Sequence, residues 1–319
     1  MTRFLTRAAA AAAIALMATA TTVHAQDAWA PPGPVRLMIA FAAGGGADTQ
    51  ARLIAEDIEE ALGWSFIPEQ VTGAGGLNLI NEIQDAPADG TVIGMVVTES
   101  LGYNMRVADA GMTPDMITPI TTTAGFQMAI VTRSDTGWQS FEDMMAAAEG
   151  GQTIRFGAMS PKLADLAFLL GDAQGVDFNI IEVRGGRAVM DGVNAGDMDV
   201  GFMAGIQARG VESGDLVNLA SALSAPLDQT PEAPTLSDLG VPFNADGYFV
   251  FVGPAGMPDE ARDALTAAIT DAITREGSRS NGAITAGFGA PTVISGADLT
   301  TLITNDYEAA GALIDATSE

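Results

Sequence analysis

The sequence offers its clearest chemistry in two glycine-rich loops near its start. The first loop runs from Phe41 to Asp48, and the second runs from Thr72 to Gly76. Each loop is followed by apolar residues at helical spacing, so each is predicted to lead into a helix. The free N–H groups and the dipole of a helix start attract negative charge, which predicts an anion site built from backbone at the first loop. A plain strand-to-helix turn is the alternative for this loop.

Three cations stand out because the rest of the chain is acidic. Lys162 is the only lysine, and Arg184 and Arg187 flank a Gly-Gly pair. Arg187 and Lys162 stand where helices should begin, and a cation there opposes the helix dipole unless an anion is bound. For Arg187 the alternative is an ion pair with Asp191, four residues on. Arg184 follows an apolar strand, and its guanidinium could hold a carboxylate through two parallel hydrogen bonds.

Polar residues at the end of a third predicted strand add further candidates. Thr98 and Ser100 could donate hydrogen bonds to ligand oxygens, with a plain turn as the alternative. Glu99 would repel an anion unless it is paired or points away. Asp48 is predicted to cap the first helix rather than to contact ligand. Phe249 is expected in the core or in the wall of a cleft.

The residue types that are missing limit the chemistry. The chain has no cysteine, and its single histidine, His24, lies in the N-terminal leader described below. Ser-His-Asp catalysis, Cys-His catalysis and ordinary zinc sites are therefore excluded, which favours a binding protein over an enzyme. The spacing Gly44-x-Gly46-x-x-Thr49 lacks the third small residue of a dinucleotide motif, so no nucleotide cofactor is expected. No cofactor and no metal site are predicted.

The N-terminus has the features of a secretory signal peptide. Arg3 and Arg7 precede the apolar run 8–20, and small residues lie at −3 and −1 of a cleavage site after Ala25. Losing the two arginines would change the formal net charge from −26 to −28. Such a charge argues against nucleic-acid binding, because phosphates would be repelled. The predicted mature protein starts at Gln26 and is soluble, exported and without a lipid anchor.

Hydrophobic periodicity predicts the elements that position these loops. Short apolar runs near 35–41, 66–68, 91–97, 128–132, 154–158, 178–183, 199–203, 216–219 and 248–252 are predicted strands, most of them separated by helical segments. This alternation predicts an α/β fold with mainly parallel sheets. Residues 111–123, rich in threonine and proline, are interpreted as a connection to a second domain.

Two linkers, near 111–125 and 221–235, divide the predicted strands into three groups. We therefore expect a signal peptide at 1–25, a discontinuous first lobe at 26–123 and 224–319, and a second lobe at 124–223. A ligand cleft would lie between the lobes, where the carboxyl ends of the strands carry the small and polar loops.

Across these loops the chain resembles the substrate-binding proteins of tripartite tricarboxylate transporters, the Bug family. The resemblance rests on the segments Val35–Phe41, Gly44–Asp48, Gly73–Gly76, Asp89-Gly90 and Val252–Gly256, in order along the chain. It implies a periplasmic binding protein fold of type II, in which two α/β lobes close on a small carboxylate. In that family the two glycine loops of the first lobe hold one carboxylate, largely through backbone N–H groups and ordered water.

Together, the residues and the resemblance predict a di- or tricarboxylate receptor that delivers its ligand to membrane transporter subunits and is itself a monomer. Arg184 would hold the distal carboxylate. The predicted ligand-binding residues are Phe41, Ala43, Gly44, Gly45, Gly46, Asp48, Thr72, Gly73, Ala74, Gly75, Gly76, Thr98, Ser100, Ser160, Arg184 and Gly185.

The chain also departs from the family pattern near the cleft. The family's Ser-His becomes Pro161-Lys162, and its Tyr-Lys-Gly becomes Val183-Arg184-Gly185. These departures leave the grip on one carboxylate in place and change the surface that selects the ligand. Two other functions stay open at this point: a sensory adaptor that presents ligand to a membrane signalling protein, and a periplasmic enzyme on the same scaffold.

Overall fold

The computed structural model describes residues 29–108 and 111–318. The predicted signal peptide lies outside the described residues. Ten strands are present in this part of the chain: β1 Val35–Ile39, β2 Phe66–Gln70, β3 Val92–Val97, β4 Ile117–Gly125, β5 Ala129–Arg133, β6 Arg155–Ala158, β7 Asn179–Glu182, β8 Val200–Met203, β9 Leu216–Ser221 and β10 Tyr248–Pro254.

Ten α-helices alternate with these strands or follow them in the described chain: α1 Gly46–Leu62, α2 Leu77–Ile83, α3 Met105–Ala108, α4 Phe141–Glu149, α5 Pro161–Gln174, α6 Gly186–Ala195, α7 Ala208–Ser213, α8 Asp259–Thr274, α9 Arg279–Phe288 and α10 Gly296–Ser318. A wide helical turn over Ser100–Asn104 leads into α3. None of the helices in residues 29–108 and 111–318 combines the length and the apolar character that a membrane crossing requires.

The strands form two five-stranded sheets, each the centre of one α/β lobe. The first sheet has the order β2-β1-β3-β10-β4, and the second has the order β7-β6-β8-β5-β9. We call the part built on the first sheet the first lobe and the other part the second lobe. The α/β two-lobe fold predicted from the sequence is confirmed, whereas the boundaries proposed for the domains stay a prediction.

The expectation of mainly parallel sheets holds for four strands of each sheet and is wrong for the fifth. In the first sheet β2, β1, β3 and β4 run in one direction, and β10 runs against them. In the second sheet β7, β6, β8 and β9 run in one direction, and β5 runs against them. The reason is that β5 and β10 do not follow the preceding strand through a helical crossover. Each enters its sheet from the other lobe, so the crossover rule for βαβ units does not set its direction.

The interpretation of residues 111–123 as a connection is also wrong, because β4 occupies most of this segment. Its isoleucines and threonines are β-branched and suit a strand. The hydroxyl of Thr118 donates to Pro254 O at 2.8 Å, and that of Thr122 donates to Thr292 O at 2.6 Å. Pro119 is tolerated because β4 is the last strand of its sheet and its register shifts there.

The buried strands carry continuous apolar runs, as expected for strands covered on both faces. All six residues of β3 are buried, and most of β1 is buried beside it. Helix α4 begins with the predicted capping box, in which Ser140 and Asp143 satisfy each other's backbone N–H groups. Sequence periodicity did not predict α7 or α9.

Helix α9 is fixed to α1 by one buried carboxylate. Asp57 is 3% exposed and accepts hydrogen bonds from Ser280 N at 2.8 Å, Ser280 Oγ at 2.7 Å and Arg279 Nη1 at 3.2 Å. Burial alone would raise the pKa of Asp57, but the hydrogen bonds from Ser280 and the charge of Arg279 outweigh burial and lower it. The ionised form of Asp57 therefore stabilises the folded state.

We expect Asp57→Asn to lower the free energy of unfolding by about 1–3 kcal/mol at pH 7, because buried donors lose a charged acceptor. The wild-type contribution is complete above the unfolded pKa of about 3.9 and is lost as pH falls through the lower folded value. The difference between the two proteins should therefore shrink in acid. Urea titrations at several pH values measure it, with the exposed Asp271→Asn as control. An equal difference at every pH would contradict this role.

Candidate functional site

The candidate site is the cleft between the lobes, at the carboxyl ends of parallel strands from both sheets. The loops after β1, β2 and β3 enter it from the first lobe, and those after β6, β7 and β8 enter it from the second. This is the position at which open α/β sheets bind ligands. Two connected spaces make up the cleft, and Phe41, Met159, Ser160 and Arg184 line both of them.

The first glycine loop leads into α1, whose N-cap is Gly45. The N–H groups of the first turn have no partner within the helix, and Gly45, Gly46 and Ala47 all line the cleft. Helix α1 has 17 residues, so its dipole adds to the attraction of these N–H groups for an anion. Ala43 and Gly44 are exposed to solvent, and neither residue lines either of the two spaces.

Asp48 holds this loop from within the first lobe instead of facing the cleft. It is 4% exposed, and its carboxylate accepts from Gly44 N at 2.9 Å, Arg52 Nε at 2.8 Å and Gln70 Nε2 at 2.5 Å. Asp48 is the third residue of α1 and not its N-cap, because Gly45 takes that position. Its contact with Gly44 N therefore fixes the loop just before the helix.

The second glycine loop is a left-handed turn. Gly73, Ala74, Gly75 and Gly76 all have positive φ, and Ala74, at +47°, is the one non-glycine with positive φ in the described part of the chain. The first hydrogen bond of the turn runs from Gly76 N to Gly73 O at 3.0 Å, which leaves the N–H groups of Ala74 and Gly75 outside it. Backbone strain of this kind collects at ligand sites.

Side chains of the first lobe donate hydrogen bonds to two carbonyl oxygens of this loop. Ser100 Oγ donates to Gly75 O at 2.6 Å, and Asn104 Nδ2 donates to the same oxygen at 3.0 Å. Asn78 Nδ2 donates to Thr72 O at 2.9 Å. With two carbonyl oxygens occupied in this way, the N–H groups of Ala74 and Gly75 are the groups of this loop that suit a ligand, and successive N–H groups in such turns bind anions.

The hydroxyls of Thr98 and Ser100 thus have partners inside the protein. Thr98 Oγ1 accepts from Tyr248 N at 3.1 Å, and Ser100 supports Gly75; both side chains are buried. Sequence analysis did not predict Asn78 and Asn104, whose side chains, like that of Ser100, donate to carbonyl oxygens of the second glycine loop. Asn78 lies two residues after Gly76, and Asn104 lies 28 residues after it. Neither spacing indicates, without the fold, that the side chain contacts the loop.

The second lobe contributes Ser160, Arg184 and Gly185. Ser160 is the N-cap of α5, and Gly185, at φ +82°, is the N-cap of α6. The Arg184 side chain is exposed, lines both spaces of the cleft, and makes no ion pair with the described residues. Arg187, by contrast, pairs with Asp191 at 3.0 Å, which is the alternative that the sequence offered for it.

Glu99 follows β3, lines the cleft, and is affected by the charge of Lys162. Burial raises the pKa of Glu99, while the charge of Lys162 and hydrogen bonds with Ser160 and Asn104 partly counter burial. Nearby, the hydroxyl of Tyr103 donates to Asp165 of the second lobe, and burial followed by this bond raises the pKa of Tyr103. Lys162 of the second lobe therefore favours the ionised form of Glu99, but no ion pair joins the two side chains in the described residues.

The two spaces differ in character. We call the first the loop compartment: it is walled by Thr72–Gly76 of the first lobe and by Glu182–Gly185 of the second. We call the other the apolar chamber: it lies beside Gly45–Ala47, and its walls include Phe126, Met128, Phe249 and Phe288. Sequence analysis placed Phe249 in the core or a cleft wall and did not predict the chamber.

The donors of the site suit an anion. They are backbone N–H groups and the side chain of Arg184, since the other arginine of the lining, Arg187, is paired with Asp191. No group of three or more histidine, cysteine, aspartate or glutamate residues that could hold a metal ion is found in residues 29–108 and 111–318. What this arrangement can do is hold a small anion between two lobes.

Comparisons with known proteins agree with this chemistry. A family profile described as "Tripartite tricarboxylate transporter family receptor" matches residues 50–318. Among curated proteins, the UPF0065 protein in the TAR-I ttuE-ttuC' intergenic region of Agrobacterium vitis is 27% identical over 277 residues, which cover 82% of this chain and 78% of that protein.

Solved structures with the same fold include two proteins of Rhodopseudomonas palustris. One is Rpa4515 with adipate, with a TM-score of 0.79, 19% identity, and coverage of 90% of this chain and 98% of that one. The other is MatC with bound malate, with a TM-score of 0.75, 19% identity, and coverage of 89% and 100%. At these identities the likeness shows the fold alone.

Proposed function

This chain belongs to the tripartite tricarboxylate transporter receptor family, and on that premise we propose that it binds a small carboxylate in the cleft between its lobes. The family consists of solute receptors and not of enzymes. One observation carries the proposal: Gly45–Ala47 at the start of α1 and the Ala74–Gly75 turn line the cleft from the first lobe, and Arg184 lines it from the second.

The physical argument is one of charge and hydrogen bonding. A carboxylate needs donors for two oxygens, and the glycine loops supply them without a side chain between the backbone and the ligand. Arg184 adds a full positive charge on the opposite wall. The named ligands of the two similar structures, adipate and malate, are both carboxylates, which supports the same ligand class for this chain.

We further propose that the protein works in the periplasm after its signal peptide is removed, and that it delivers the carboxylate to the membrane subunits of a transporter. A ligand that contacts both lobes would favour their closed arrangement, which is the state that a membrane partner can distinguish. Family membership supports this role over that of a sensory adaptor.

A thermal-shift screen of mono-, di- and tricarboxylates tests the proposed function. A ligand at 100 times its Kd should stabilise the protein by about 2.7 kcal/mol, because it binds the folded state only. The neutral amides of the same acids serve as controls and should give no shift. A chelator should leave the shift unchanged, because backbone N–H groups and Arg184 need no metal ion. No shift with any carboxylate, or a shift that EDTA abolishes, would contradict the proposal.

A further inference from the structure

The apolar chamber has walls that a polyanionic ligand would not need. Three phenylalanines form one of its sides, with the Phe126 and Phe249 ring centres 5.2 Å apart and those of Phe249 and Phe288 4.9 Å apart, both pairs edge-to-face. Met128, Val97 and Ile206 extend this apolar lining. Most of it is already packed into the core, so its shape is set before a ligand arrives.

Charged groups are confined to two places on the chamber's lining. Arg184 and Arg187 come from the second lobe's segment after β7, and Glu99 follows β3 of the first lobe. Gly45 and Gly46 border the chamber at the start of α1. The lining therefore combines donors for an anion with a large apolar surface.

The chamber is also small. It encloses about 100 Å³, and an engineered apolar cavity of roughly 150 Å³ in another protein holds benzene. A body of about one ring or a short branched chain would fill it. The hydroxyl or second carboxylate of a polar acid would have to lose its water against phenylalanine rings, which is unfavourable without a partner.

We propose that the chamber binds the apolar body, about one ring in size, of a monocarboxylate whose carboxylate lies at the glycine loops and Arg184. This inference rests on the proposed function and narrows its substrate class. It differs from the sequence-based expectation of a di- or tricarboxylate, because the apolar walls were not visible in the sequence.

Titration calorimetry with four probes tests the inference: benzoate, cyclohexanecarboxylate, malate and citrate. The full purified protein should bind one or both ring acids at least about tenfold more tightly than malate or citrate, which corresponds to about 1.4 kcal/mol. If malate or citrate binds as tightly as the ring acids, the inference is overturned and the proposed function stands. If none of the four acids binds, the inference is overturned, and the wider thermal-shift screen decides on the proposed function.

A variant of the chamber wall separates apolar packing from charge. Met159 is partly exposed and lines both spaces, and Met159→Gln keeps the length of the side chain while making it polar. We expect it to weaken the binding of the ring acids by about tenfold. Phe168→Gln, which changes an exposed side chain of α5 outside the cleft, is the matched control. Equal affinity of wild type and Met159→Gln for the ring acids would overturn the inference.

Discussion

Replacement of Arg184 with alanine is expected to raise the Kd for a carboxylate roughly thirtyfold, or about 2 kcal/mol, the typical value for a hydrogen bond to a charged group. Arg184 makes no ion pair with the described residues, so its loss should not disturb the fold. It is exposed without ligand and would be covered when the lobes close on one. Titration calorimetry on wild type and variant gives the difference directly.

Two further variants make this prediction specific to Arg184. Arg184→Lys should recover part of the affinity, because an ammonium keeps the charge but cannot form two parallel hydrogen bonds. Arg209→Ala removes another exposed arginine of the second lobe that does not line the cleft, and it should bind like wild type. If Arg184→Ala and Arg209→Ala both bind like wild type, Arg184 is a solvated surface charge.

Replacement of Gly75 with alanine should abolish or greatly weaken binding, with a loss of at least about tenfold. At φ +61°, an added Cβ would lie against Asn104 Nδ2 and 2.9 Å from Asn104 Cγ. Asn104 is 5% exposed and bonded to Gly75 O, so it cannot move away cheaply. The loop would shift instead, and the N–H groups of Ala74 and Gly75 would lose their positions.

The control for Gly75 is a glycine with the same backbone and empty space around it. Gly63, at the other end of α1, has φ +70° and nothing within 4 Å of an added Cβ. Gly63→Ala should cost about 1 kcal/mol of stability from the left-handed backbone and should bind normally. Calorimetric binding and urea unfolding on both variants separate strain from function. Normal binding by a folded Gly75→Ala would contradict the role of the second loop.

The sequence predicted the start of the chain well because local signals there agree. The apolar run of β1, the glycines after it and the apolar spacing of α1 point to the same elements, and Gly63 ends the helix where predicted, in the left-handed conformation. The capping box at Ser140 was equally clear. Where propensity, pattern and caps coincide, tertiary contacts have little to override.

Elements whose stability comes from distant partners were harder to predict. Strand β4 is rich in threonine and contains Pro119, and its hydroxyl bonds go to residues far along the chain. Helix α9 contains two glycines and is held by Asp57 of α1, so its own sequence is a weak helix former. The directions of β5 and β10 likewise depend on how the chain passes between lobes.

For the site, the sequence predicted which loops line the cleft, but it did not predict the side chains that support these loops or the apolar chamber. Gly45, Gly46, Thr72–Gly76, Ser160, Arg184 and Gly185 line the cleft as predicted from the sequence. Thr98, Ser100 and Asp48 instead support the loops from inside the first lobe. The apolar chamber could not be predicted, because Phe126, Phe249 and Phe288 come from three distant segments and each alone is typical of a core residue.

A crystal structure of the protein with the carboxylate that binds most tightly in the screen tests the central claim most directly. We predict that the carboxylate oxygens lie within about 2.7–3.2 Å of backbone nitrogens in the first turn of α1 or in the Ala74–Gly75 turn, with Arg184 in contact from the second lobe. A ligand bound outside the cleft, or one in the cleft whose carboxylate contacts neither glycine loop, would contradict the claim.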